Sequence, residues 1–100
     1  SMDALENPLE LKHLSGLKGF ESDEDVIIGY MKDGSGNPGF MVVNYNDSSW
    51  NKKVNARMNF GDYTQAQVYR RGKKSVVDLK NGILMLELEV GEGVFVIPCS

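Results

Sequence analysis

Apolar and polar residues alternate along most of this chain with a period of two. From Val54 to Phe60, Val54, Ala56, Met58 and Phe60 fall on one side, with Asn55, Arg57 and Asn59 on the other. That is the pattern of a strand with one face in a core and one in water. Leu84, Leu86, Leu88 and Val90 alternate in the same way with Glu87 and Glu89, and Gln65–Arg70 repeats the pattern. Val26–Lys32, Phe40–Asn46, Ser75–Leu79 and Val94–Ile97 complete a set of seven predicted strands within about 75 residues. Turn-forming residues punctuate them: Asp33–Gly39, Asp47–Asn51, Gly61–Thr64, Gly72–Lys74, Asn81-Gly82 and Gly91–Gly93. Asn81-Gly82 is the most specific of these signals, because a two-residue type I′ hairpin turn needs positive φ at both central positions. Ser75–Pro98 therefore reads as consecutive strands on which the others pack. Short strands with frequent turns and no α/β alternation predict an all-β fold, an antiparallel β-sandwich of about seven strands.

The first 24 residues break the pattern. Leu5, Leu9, Leu11, Leu14 and Leu17 are spaced too loosely for a strong amphipathic helix, and Pro8, Gly16 and Gly19 interrupt any long one. The expectation is a linker over residues 1–24, irregular or with one short helical turn, leading into a sandwich domain over residues 25–100. Ser1-Met2 reads as a cloning remnant on a piece of a longer protein. The leucines then need cover from this domain or from a neighbour. Glu21–Asp25 is a polar acidic stretch suited to a loop before the first strand.

Composition narrows the function more by exclusion than by indication. One hundred residues, 41% of them hydrophobic and 25% charged, suit one globular domain. A net charge of −3 with scattered basic residues argues against a nucleic-acid partner. The one basic cluster, Arg70, Arg71, Lys73 and Lys74 around Gly72, reads as a solvated hairpin tip. Cys99 is the single cysteine, so there is no intramolecular disulfide and no multi-cysteine zinc site. No run approaches the roughly 20 apolar residues of a membrane-spanning helix, so no membrane partner is expected. These features leave the compartment open, including a secreted or periplasmic parent.

No set of catalytic groups emerges. Gly34–Gly39 matches G-x-G-x-x-G, but a strand follows it where a dinucleotide site needs a helix N-terminus, so it reads as a hairpin loop. Glu87 and Glu89 stand two apart on a strand, roughly 7 Å between Cα atoms. That spacing is open to a glycosidase pair, yet any solvated strand face gives it; Glu92 follows in a turn. Glu21–Asp25 lacks the spaced oxygen ligands of a calcium loop. His13, the only histidine, has no G-x-S-x-G partner and reads as a surface residue, and Cys99 reads as part of a frayed end. Asn46-Asp-Ser48 is a glycosylation sequon that matters only in a glycosylating host. No catalytic residue, cofactor or metal is predicted. The residues left for binding are Trp50, in the Asp47–Asn51 loop, and Tyr45 just before it. Their rings could stack on a sugar, against the plainer reading that Trp50 covers the sandwich end or a neighbouring domain.

Several phrases carry a resemblance. Asp25-Val-Ile-Ile-Gly-Tyr-Met-Lys-Asp-Gly34, Gly39-Phe-Met-Val-Val-Asn-Tyr-Asn-Asp47, Val68-Tyr-Arg-Arg-Gly72 and Leu86-Glu-Leu-Glu-Val-Gly-Glu-Gly-Val-Phe-Val-Ile-Pro98 resemble the C-terminal β-sandwich of modular (β/α)8-barrel glycoside hydrolases. The resemblance spans about residues 25–98 and implies a non-catalytic domain. The catalytic acids would sit on the barrel, at the C-terminal ends of its strands. It implies that residues 5–17 connect barrel to sandwich, and that the partner is the catalytic domain of the same parent chain. No residue matches a known sugar site.

Four functions follow in order of expectation. The first is a structural accessory domain of a bacterial glycoside hydrolase, stabilising its barrel. The second is a small carbohydrate-binding module using Trp50 and Tyr45. The third is a standalone interaction domain or sheet-edge adhesion module, and the last a self-contained enzyme.

Overall fold

The computed structural model describes residues 3–5, 16–24, 26–32, 34–35, 37–45 and 53–100. They form nine strands: β1 (Asp3–Leu5), β2 (Gly19–Ser22), β3 (Ile27–Lys32), β4 (Pro38–Val43), β5 (Val54–Asn59), β6 (Gln65–Arg70), β7 (Lys73–Asp78), β8 (Ile83–Leu88) and β9 (Gly93–Cys99). A six-stranded sheet has the order β1-β3-β4-β9-β6-β7, and a three-stranded sheet the order β2-β5-β8. Every neighbouring pair is antiparallel. The predicted all-β sandwich is the observed fold.

The core lies between the sheets. β5 and β8 contribute Val54, Ala56, Met58, Leu84, Leu86 and Leu88, the residues that alternation assigned to one face. They meet Phe40, Val42, Val68, Val94 and Val96 of the large sheet. Phe40 stacks between two aromatic neighbours at tilted angles, 5.3 Å from Tyr30 and 5.6 Å from Phe60 between ring centroids.

Two turns pass through paired positive φ values. Asn81 and Gly82 have φ of 56° and 78°, and Arg71 and Gly72 have 52° and 75°. The first has the predicted type I′ signature but not the predicted hairpin: β7 and β8 lie in different sheets, and only Lys80 and Ile83 bridge across the turn. Ser75–Pro98 is therefore not a run of mutually paired strands. The second moves the tip of the basic hairpin one residue back from the expected Gly72–Lys74 turn, so Lys73 and Lys74 lie in a strand.

The N-terminal segment differs from its expected irregular form. Residues 3–5 pair with β3, and residues 19–22 pair with β5. Leu17 is 1% exposed inside the core, and the Lys18 amide donates to the Asn59 carbonyl at 2.7 Å. A three- or four-residue strand is too short for propensity or periodicity to reveal. Its pairing partners lie far along the chain and supply the hydrogen bonds that local sequence does not announce.

Candidate functional site

The two sheets present opposite chemistry to the outside. On the small sheet, Glu21, Arg57 and Met85 form one cross-strand row, and Asn55 and Glu87 form part of the next. Lys53 lies 3.5 Å from Glu87 and 3.5 Å from Glu89. Attraction to Glu89 first, and then to Glu87, raises the Lys53 ammonium above its ordinary value. Asp23 accepts from the Asn55 amide at 2.9 Å and from Asn55 Nδ2 at 3.0 Å. These bonds, the side-chain one foremost, hold the Asp23 carboxyl below its usual range. This face is an ordinary hydrated one, with a shallow depression of about 300 Å³ beside Asp23, Asn55 and Met85.

The large sheet is different. Its register carries one outward row across Gly29, Met41, Phe95, Tyr69 and Lys74; beside it Met31 pairs with Gly39, and Ile97 with Gln67, which pairs in turn with Val76. Ile27 and Val43 extend the patch at the near end. From β3 to β9 every side chain in these rows is apolar, and each is half-buried. Phe95 lies across Gly39, where an added Cβ would stand 2.7 Å from the ring. The Tyr69 ring sits 6.0 Å from that of Phe95 and donates its hydroxyl to Gln67 Oε1 at 3.1 Å. The result is a smooth apolar plate bordered by polar β6 and β7 residues.

A signal for this plate was present in the sequence. Val26-Ile-Ile, Phe40-Met-Val-Val and Val94-Phe-Val-Ile are continuous apolar runs, the mark of strands with apolar surroundings on both faces. β5 and β8 alternate strictly and have one wet face. Enrichment in β-branched residues identified the runs as strands without separating the two cases.

At one end, the β6–β7 and β8–β9 turns are latched together. The Glu92 carboxylate, 7% exposed, has Oε2 3.5 Å from Arg70 Nε and 3.2 Å from Arg71 Nε. Its other oxygen accepts from the Glu89 amide at 3.0 Å. Arg70 also donates to the Glu87 carbonyl at 2.7 Å. The basic cluster is therefore a solvated tip only in part, since two of its four cations hold a buried acid. Asn44, fully buried, donates from Nδ2 to the Leu88 carbonyl at 3.2 Å. Its backbone exchanges bonds with Gly91 and Glu92. Neither tie is legible locally, because each joins residues that only the strand order brings together.

The remaining candidates resolve singly. Tyr45 is 51% exposed, while Trp50 and His13 lie outside the described residues. β3 and β4 pair as an antiparallel hairpin, and of the Gly34–Gly39 stretch expected as its loop, Pro38 and Gly39 already belong to β4, opposite Lys32 and Met31. Cys99 is in no frayed end: it pairs with Gln65, and its carbonyl accepts from Thr64 at 3.2 Å. A second depression, of about 260 Å³, is lined by Lys18, Phe60, Asp62 and Tyr63. Among the described residues no group of three or more His, Cys, Asp and Glu side chains is placed to hold a metal ion, and no helix is long and apolar enough to cross a membrane. Comparison with family models, characterised proteins and solved structures gives no match.

Proposed function

We propose that this chain is a non-catalytic β-sandwich domain of a bacterial glycoside hydrolase, and that it stabilises a catalytic (β/α)8 barrel by packing on it. The observation that carries the reading is the apolar outer plate of the six-stranded sheet, Ile27, Met31, Met41, Val43, Phe95 and Ile97. A sandwich in water on both sides has no need of it, as the polar small sheet shows, and a continuous apolar face is how a protein surface marks a contact. The resemblance of residues 25–98 to the closing domain of such enzymes supplies the partner. The barrel would carry the chemistry; the sandwich would contribute apolar burial at an interface between domains.

The test uses both the 100-residue chain and the complete reading frame that encodes it. Phe95→Asp and Met41→Lys should leave the isolated sandwich folded, because both side chains point away from its core. In the full-length protein the same changes should lower the unfolding temperature of the catalytic domain. Turnover of aryl glycosides by the 100-residue chain would overturn the proposal. So would binding to a glycan array that is lost in Trp50→Ala, which favours a carbohydrate-binding module.

A further inference from the structure

We propose that this chain pairs with a second copy of itself through the outer edge of β7, joining two six-stranded sheets into one. Among the described residues no strand pairs with the outer edge of β7, which ends its sheet, and all six of its residues are exposed. Val76 is 56% and Val77 37% exposed, so both faces of the strand extend beyond the cover of the small sheet. An edge of this kind offers unpaired backbone groups as a template for another strand. The β8 edge is guarded near its end, where Arg70 and Asn44 donate to the Glu87 and Leu88 carbonyls.

The register of β6 and β7 decides which groups point outward. The Leu79 amide donates to the Thr64 carbonyl at 2.8 Å, and pairing continues without a bulge from Gln65 with Asp78 to Arg70 with Lys73. Antiparallel pairs alternate between bonded and non-bonded types. Val77, Ser75 and Lys73 therefore direct their backbone groups to β6, while Asp78, Val76 and Lys74 direct theirs to the open edge. A two-fold axis perpendicular to the sheet keeps each face continuous, so it can pair only residues of the same parity.

Among such registers, the one centred on Val76 is self-complementary. It sets Val76 against Val76 of the second copy and Lys74 against Asp78 at both ends. All three pairs are of the bonded type, giving on the order of six backbone hydrogen bonds. The apolar residue is buried at the axis and the charges are matched at the rim. Gln65 occupies only Oδ1 of Asp78, at 3.1 Å, so the other oxygen can receive Lys74. Lysine on an edge normally discourages pairing; here the facing strand supplies its counter-charge. Shifting the register by two residues sets Lys74 opposite Val76 and loses both ion pairs. This pairing does not depend on the accessory-domain reading.

Sedimentation equilibrium on the 100-residue chain tests it. The interface is short, so the dimer should dissociate in the range of about 10–100 µM. A chain that stays monomeric at about 1 mM overturns the proposal. Lys74→Asp and Asp78→Lys, each alone, place like charges opposite one another at both ends and should weaken dimerisation roughly tenfold or more. An equimolar mixture of these two variants should recover it, because each heterodimer pair is again opposite in charge. No weakening in the single variants, or no recovery in the mixture, also overturns the proposal. Val76→Pro gives an independent check, since its amide points away from β6 and the intramolecular ladder loses nothing. It should abolish the dimer with native circular dichroism, and a persistent dimer would place the interface elsewhere.

Discussion

Two glycines with nearly the same backbone conformation should respond very differently to one added methyl group. Gly72 and Gly82 have φ of 75° and 78° at equivalent positions of their turns. A Cβ at Gly72 meets nothing within 4 Å. At Gly82 it would fall on the Gly61 carbonyl oxygen, with the Gly61 nitrogen at 2.9 Å and carbon at 3.0 Å. The obstacle is backbone, so no rotamer change relieves it, and Gly61 lies in a turn of its own with φ of 66°. The Phe60 amide also donates to the Gly82 carbonyl at 2.8 Å, which ties the two turns together. For Gly72→Ala only the left-handed penalty applies, about 1 kcal/mol. Gly82→Ala adds overpacking of about 1–3 kcal/mol, for a total of about 2–4 kcal/mol. At about 4–8 °C per kcal/mol for a domain of this size, Gly72→Ala should lower the melting temperature by about 5 °C and Gly82→Ala by more than about 8 °C. Gly91→Ala, with φ of 75° and open space around it, serves as a second control. Urea titration followed by circular dichroism reads the same differences, with unchanged slopes if only the folded state is affected. Costs for Gly72→Ala and Gly82→Ala that agree within about 0.5 kcal/mol would refute the packing of one turn on the other.

Three further outcomes follow from other parts of the fold. Leu17→Ala should cost about 2–5 kcal/mol in denaturant unfolding, although Leu17 lies in a segment that reads as a linker; a negligible cost would remove it from the core. Glu92→Gln keeps the Glu89 amide bond and loses the charge facing Arg70 and Arg71. It should cost about 1 kcal/mol, discounted for the solvent around the two arginines, and Glu92→Ala should cost more because the part-buried Glu89 amide also loses its acceptor. The Asp23 carboxyl should titrate below its ordinary 3.8 in an NMR pH series. A depressed folded-state pKa contributes stability that is complete above the unfolded value and lost as pH falls through the folded one. Asp23→Asn should therefore remove part of the acid-side slope below about pH 4 and leave the alkaline side unchanged; an unaltered slope argues against the Asn55 clamp.

The alternation of β5 and β8 was sufficient to assign their core residues, because a period of two has only two ways to face a sheet and one of them is polar. Asn81-Gly82 likewise determined its turn locally, since few residue pairs accept positive φ twice. Strand existence, fold class and that turn thus belong to the sequence by itself, whereas the sending of β7 and β8 to different sheets does not. The six-and-three division of the sheets, the burial of Leu17 and the Asn44 and Glu92 ties do not. Each depends on which distant segments become neighbours, a choice made by the total burial of apolar surface and not by any single stretch. The same holds for function. The apolar runs of β3, β4 and β9 announce strands, but only the tertiary structure shows that their second faces lie together as one plate without cover among the described residues. Only the strand order leaves β7 at an edge. A surface is a sum over strands far apart in the chain, and no local pattern contains that sum.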